Sequence, residues 1–217
     1  MPEGVAFGVV AHTARRPAAE LLAAQLGAYL SVDDGTLGAV GNHRHVWEVL
    51  VDAPARWVCV VEDDAVPVTD FGDQLAAALA AAPSPVVSLY LGRSRPPGWT
   101  QRQVRSAVDA ADSVGACWVM ADRMLHAVGV CLRANLVRDM LTHTRHVRKL
   151  VPVDQRFDRW LRLRKLRVAY SVPSLVDHRD GPTLIEHPDG QPRTEPRTAW
   201  RTGGRAAWTS LTVPVAL

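Results

Sequence analysis

Residues 62–64 of this 217-residue chain are Glu-Asp-Asp, following directly on the nearly all-apolar run Arg56-Trp-Val-Cys-Val-Val61. Three adjacent carboxylates at the end of a buried strand raise one another's pKa and repel, so the cluster needs a cation. On extended backbone, residues i and i+2 point the same way. Glu62 and Asp64 can therefore share one ion while Asp63 turns away to hold backbone or a ribose hydroxyl. Hard oxygen ligands suit Mn2+ or Mg2+, above all when a diphosphate supplies the remaining oxygens. The reading without chemistry is a solvated loop whose acids cap the helix that follows.

The elements that must position these acids read as alternating strands and helices. Val5–His12 is a short apolar strand, and PAAELLAAQL (17–26) is a helix former that puts Leu21, Leu22 and Leu26 on one side and ends at Gly27. Residues 28–32 make a second strand closed by Asp33-Asp34-Gly35, so a parallel βαβ unit opens the chain. Asn42 is placed to cap a helix through Val51 that turns Val46, Trp47 and Leu50 inward. After the acids come a helix over 70–82, a strand over 85–91, and a Gly/Pro/Arg-rich loop from Gly92 to Gln103 long enough to act as a lid. A strand at 115–120, helices at 133–146 and 153–164, and β character over 168–176, broken by Pro173, complete the pattern. The acids thus sit at the C-terminal end of a strand in an open sheet, where such sheets build their ligand crevices.

Composition is ordinary for a folded domain, with 47% hydrophobic and 22% charged residues, which argues against disorder, collagen-like and heptad-repeat classes. Net charge is +3, but it is divided: residues 1–92 carry 11 acids and 4 bases, and residues 93–217 carry 11 acids and 21 bases. Cys59, Cys117 and Cys131 are odd in number, lack C-x-x-C spacing and lie in apolar stretches, so reduced packing residues are expected. With no basic leader and no apolar run of membrane-spanning length, a cytoplasmic protein without a transmembrane segment is expected. Nucleophile-elbow, P-loop, dinucleotide-fingerprint and zincin motifs are absent from the sequence.

The order GNHRHVWEVL (41–50), WVCVVEDDAVP (57–67), ACWVMADRML (116–125), VPVDQRFDRWL (151–161) and YSVPSLVDH (170–178) resembles the family 25 glycosyltransferases, the lipopolysaccharide-biosynthesis and collagen-galactosyltransferase type. The resemblance covers residues 5–178, with Asn42-His43 where the family usually has Ser-His. It implies a GT-A-like, Rossmann-like α/β domain over 1–178 with a mostly parallel sheet. Residues 179–217, rich in Pro, Gly and Arg, would form an irregular arm on the same domain. It further implies a nucleotide-sugar donor, a UDP-sugar above all, and Mn2+ or Mg2+ bridging its diphosphate through Glu62 and Asp64. His178 matches the place where many such enzymes add a histidine ligand; otherwise it is a turn residue. Asp154, after a proline and opening a helix, is the candidate base for the acceptor hydroxyl or else a plain N-cap, and a helix N-terminus would lower its pKa. Asp158, one turn on, is the reserve. Ala11, His12, Thr13, Asp33, Asn42 and Asp63 are the expected nucleotide contacts. Inversion of the sugar's configuration is implied.

Arg133 to Arg167 holds 11 cations against Asp139, Asp154 and Asp158. That concentration suggests an anionic acceptor: a glycan, a lipid headgroup, or a hydroxylated base in DNA. The competing reading is a solvated face whose arginine stems cover the core. Trp99, Trp118, Trp160 and Trp200 are candidates to stack a sugar or base, and His143-x-x-His146 is a weaker metal pair. Two other functions remain open: a nucleotidyltransferase or metal phosphoesterase using the same acids, and a non-catalytic module that binds a nucleotide sugar or DNA.

Overall fold

A computed structural model describes residues 4–94, 98–147, 151–181 and 195–217. The elements are β1 (Val5–His12), α1 (Arg16–Leu26), β2 (Tyr29–Asp33), α2 (Gly38–Leu50), β3 (Trp57–Glu62), β4 (Ala65–Pro67), α3 (Phe71–Ala81), β5 (Val86–Ser88), α4 (Trp99–Val114), β6 (Trp118–Ala121), β7 (Gly129–Arg133), α5 (Ala134–Arg145), α6 (Val153–Arg164), β8 (Val168–Ser171), β9 (Val176–His178) and β10 (Thr212–Val215). Eight strands form one sheet in the order β10-β6-β8-β5-β7-β3-β1-β2, and β4 pairs with β9 in a small second sheet. Neighbours β2/β1, β1/β3, β5/β8 and β6/β10 are parallel; β3/β7, β7/β5 and β6/β8 are antiparallel. This is a mixed, Rossmann-like α/β domain.

Side chains alternate across the pleat, so the central strands feed two cores. Val58 and Val60 of β3 join one core with Val46, Trp47 and Leu50 of α2 and Phe157, Trp160 and Leu161 of α6. Trp57, Cys59 and Val61 join the other, with Leu22 and Leu26 of α1 and Leu75 and Leu79 of α3. Gly8 lets α2 lie close on β1: a Cβ there would meet Val46 Cγ1 at 2.3 Å. Leu21, expected inward, is 75% exposed because the apolar face of α1 runs through Ala19, Leu22, Ala23 and Leu26.

Several expectations change. Asn42 does not cap α2, which begins four residues earlier at Gly38; Asp33 caps it instead, accepting from the backbone N–H groups of Leu37 and Gly38 at 2.9 Å. The loop expected over 92–103 gives way to α4 from Trp99, and residues 95–97 of that expected lid lie outside the described residues. Residues 168–176 are two strands in two different sheets, separated by a cis Val172–Pro173 bond. Strand β7 has no counterpart among the expected elements.

The described part of the C-terminal arm is less irregular than expected, since β10 pairs with β6 at the sheet edge. Arg205 fastens it by donating to the carbonyl oxygens of Ala116 (2.8 Å), Val172 (2.7 Å) and Gly115 (2.9 Å). Trp208 packs on Trp118 with ring centroids 5.4 Å apart. The three cysteines are free and buried, as expected. Among the described residues, no helix is long and apolar enough to cross a membrane.

Candidate functional site

Parallel strands β1, β2 and β3 end at the same edge of the sheet, with Val10 opposite Glu62 and His12 opposite Asp33. Antiparallel β7 starts where β3 ends, and the Glu62 N–H donates to the carbonyl of Val128 at 3.0 Å. This brings the segment before β7, including His126, to the same edge. The β4/β9 pair sets His178 opposite Ala65, and the Arg179 N–H donates to the carbonyl of Asp64 at 2.8 Å.

Glu62 has its own partner, whereas Asp63 and Asp64 share one, Arg15. His43 Nε2 donates to Glu62 Oε1 at 3.0 Å. Burial works to raise the Glu62 pKa, but this hydrogen bond and the nearby His178 and His126 outweigh it and hold the group below the usual carboxylate range. Asp63 holds backbone, accepting from the His12 N–H (2.9 Å), but it does not turn away from Asp64. It also accepts from Arg15 Nη1 (2.9 Å), which contacts Asp64 as well, so the pair that converges is Asp63 and Asp64 and not Glu62 and Asp64. Asp64 is buried, and its pKa is pushed up by burial and then by the charge of Glu62, against the pull of His178 and Arg15.

His178 Nδ1 lies 2.8 Å from the carbonyl oxygen of Arg179, which can only accept, so the Nδ1 proton is donated there. That leaves Nε2 facing Asp64 Oδ2 at 3.3 Å. A lone pair facing a carboxylate is stable only with a proton or a cation between them. The second Asp64 oxygen, Oδ1, is buried without a partner. The cation found at Asp64 Oδ2 is Arg15, whose Nη1 also contacts that oxygen; with the guanidinium withdrawn, Asp64 and His178 would offer a divalent ion two ligands. A histidine whose other ring nitrogen donates to a backbone carbonyl is the usual ligating arrangement.

Among the described residues no group of three His, Cys, Asp or Glu side chains is arranged to hold a metal. Glu62 is engaged by His43, away from the ligand set that the sequence suggested. Two protein ligands would suit an ion that takes its remaining oxygens from phosphates and water, as Mg2+ and Mn2+ commonly do. The His143/His146 pair closes α5 and belongs to no such group.

Asp154 lies in the first turn of α6 but does not cap it; Pro152 occupies the cap position. Its Oδ1 accepts from the Gln155 N–H at 2.9 Å. Burial, with smaller contributions from Asp158 and Glu62, pushes its pKa up to about 6, the reverse of the lowering expected from a helix N-terminus. Burial dominates because one local N–H does not replace the lost hydration. Asp158 is buried and spent on structure: it accepts from the Met124 backbone N–H and faces Arg123.

The expected nucleotide contacts divide. Asn42 is 1% exposed, donating to the carbonyl of Ala11 and accepting from Ser31, so it stitches α2 to the sheet and presents nothing to a ligand. Ala11 is buried and Asp33 is occupied as a cap. Thr13 is exposed, and the His12 imidazole accepts from the Ala14 N–H at 3.1 Å, fixing the turn Thr13–Arg15.

Two site residues went unread in the sequence. Arg15 arrives from that turn. His126 stands 5.0 Å ring-to-ring from Tyr90, with Nε2 buried and unpartnered, and burial lowers its pKa to about 4. Neither had a spacing signal; each is delivered by a strand end.

The basic stretch is largely committed. Arg156 is buried and donates to the carbonyls of Val151 and Thr144; Arg164 pairs with Asp139, Arg138 with Asp52, and Arg167 donates to the carbonyl of Met120. Arg133 lies over Trp57. Arg145, Arg159, Arg162 and Lys165 are exposed, while Arg148 and Lys149 lie outside the described residues. Trp118 and Trp160 are core, Trp200 donates to Gln101, and Trp99 is exposed.

No family model matches the chain, and no curated protein matches it. Among solved structures the chain is similar to one described as "Crystal Structure of A197 from STIV", at 8% identity and a TM-score of 0.35, over 87% of this chain and 100% of that one. A likeness that distant says nothing about activity.

Proposed function

We propose that the protein is a glycosyltransferase that moves a sugar from a nucleotide-sugar donor to an acceptor hydroxyl. The observation that carries this reading is a half-buried carboxyl, Asp154, whose pKa of about 6 suits a general base and which feels the charge of Glu62, at the strand end where Asp64 faces His178. Asp64 and His178 are the residues that would hold Mn2+ or Mg2+. Such an ion, when bound, neutralises charge on a diphosphate leaving group.

The chain's own residues do the rest. Asp154 takes the proton of the acceptor hydroxyl as that oxygen bonds to the anomeric carbon. The bond from that carbon to the diphosphate oxygen breaks, and its electron pair leaves on the nucleoside diphosphate. One displacement inverts the configuration. Glu62, fixed by His43, keeps the strand end anionic and orders the edge. An anionic acceptor, whether glycan, lipid headgroup or hydroxylated DNA base, is supported only by the exposed Arg145, Arg159, Arg162 and Lys165.

The test is incubation with a panel of nucleotide sugars and Mn2+, with and without DNA, following nucleoside diphosphate release in wild type and Asp64→Asn. Release that Asp64→Asn abolishes is expected. Pyrophosphate or inorganic phosphate as the product would assign the acids to nucleotidyl transfer or phosphoester hydrolysis instead.

A further inference from the structure

Arg15 occupies the place that a divalent ion would need. Its Nη1 lies 2.9 Å from Asp63 Oδ1 and also contacts Asp64 Oδ2, the oxygen that faces His178 Nε2 at 3.3 Å. Both carboxylates are buried, with side chains 7% and 8% exposed, whereas the Arg15 side chain is 22% exposed and within reach of a ligand from solvent. The turn that presents Arg15 is held at both ends of His12: the imidazole accepts from Ala14, and the backbone N–H donates to Asp63. The guanidinium is a permanent charge, favoured further by its carboxylate partners despite the cost of burial.

A guanidinium and a divalent ion cannot share Asp64 Oδ2, because two cations within a few ångströms repel strongly in a poorly hydrated site. Metal entry therefore requires Arg15 to leave Asp64. The diphosphate of a donor offers the guanidinium an anion whose oxygen pairs match its fork. We propose that Arg15 makes metal binding at Asp64 and His178 conditional on the donor: it closes the seat while the site is empty and transfers to the diphosphate when donor and ion arrive together. Arg15 is thereby a donor-binding residue, and the exchange keeps the acid cluster neutralised in both states. This rests on the glycosyltransferase reading for the identity of the anion.

The experiment is a Mn2+ titration of the full chain, followed by the paramagnetic signal of free Mn2+, with and without UDP and the other nucleoside diphosphates as probes. Wild type is expected to bind Mn2+ weakly alone and at least about tenfold more tightly with a matching nucleoside diphosphate, a change of ~1.4 kcal/mol. Arg15→Gln should bind Mn2+ alone at least about tenfold more tightly than wild type, with much less further gain from the nucleotide. Arg15→Lys, which keeps the charge, should stay weak. Thermal melting checks that each variant folds.

Unchanged Mn2+ affinity in Arg15→Gln overturns the proposal and leaves the glycosyltransferase reading to its own product assay. A gain in Arg15→Gln with no nucleoside diphosphate bound by either protein overturns that reading and the donor exchange with it.

Discussion

Asp64 and His178 meet because the backbone N–H of Arg179 is fastened to the Asp64 carbonyl at 2.8 Å, which sets the His178 ring nitrogen 3.3 Å from the Asp64 carboxylate. The contact joins the end of a central strand to a segment from much later in the chain. It turns a run of acids into a site with two kinds of ligand.

His178→Ala should therefore reduce donor turnover as Asp64→Asn does, by about 100-fold or more if a bound ion supplies the leaving-group charge. His178→Asn, which keeps a lone pair on a shorter side chain, should retain part of the activity. Metal-dependent nucleoside diphosphate release is the readout. Wild-type release from His178→Ala would remove the histidine from the site.

Asp154 gives a pH signature with two opposite signs. As a base it must be ionised, so transfer should fall as pH drops through about 6. Its folded pKa lies above the ordinary value of 3.8, so the folded state favours the protonated carboxyl; that favourable contribution is present at low pH and lost as pH rises between those values. Asp154→Asn should accordingly abolish transfer, raise the melting temperature at pH 8 and leave it nearly unchanged at pH 4. A variant destabilised at pH 8 would mean that the carboxylate is a structural partner.

Arg205 holds the arm through three backbone carbonyls. Removing it leaves those acceptors unpaired, and Arg205→Ala should cost about 2 kcal/mol in urea unfolding, by the usual cost of hydrogen bonds to a charged group. Retained stability would show that β10 and Trp208 hold the arm alone.

Gly8→Ala places a methyl group 2.3 Å from Val46 Cγ1 and 2.9 Å from Leu50 Cδ1, where α2 rests on β1. Overpacking of this kind costs roughly 1–3 kcal/mol. The same chemical denaturation measures it, and a second change, Val46→Ala, should recover part of the loss.

For the acceptor, Arg156 is the wrong residue to test, because Arg156→Ala breaks its bonds to the carbonyls of Val151 and Thr144 and should lower stability. Arg159 is exposed and suited to the purpose. If DNA is the acceptor, Arg159→Ala should weaken DNA binding and reduce the slope of log affinity against log salt by about 1. An unchanged slope would assign this face to solvent.

Much of the layout was legible in the sequence because it depends on local periodicity. The opening βαβ unit, the inward face of α2 and the acids at a strand's end follow from apolar spacing, and buried strands tolerate few alternatives. The acid triplet also announced that it needed a cation, since like charges at a buried edge cannot stand alone. Which cation, and from where, depended on pairing across the chain. Arg15 carries no motif and reaches Asp63 and Asp64 only because β1 and β3 are neighbours in register. His126 reaches the same edge because β7 runs antiparallel, a direction that no residue pattern encodes. Asn42, Asp33 and Asp158 read as polar candidates in sequence, yet each is consumed by a backbone or side-chain partner of the fold itself. Whether a polar residue faces a ligand or satisfies the protein's own amides is fixed by what the fold leaves unpaired beside it, and that is a tertiary property.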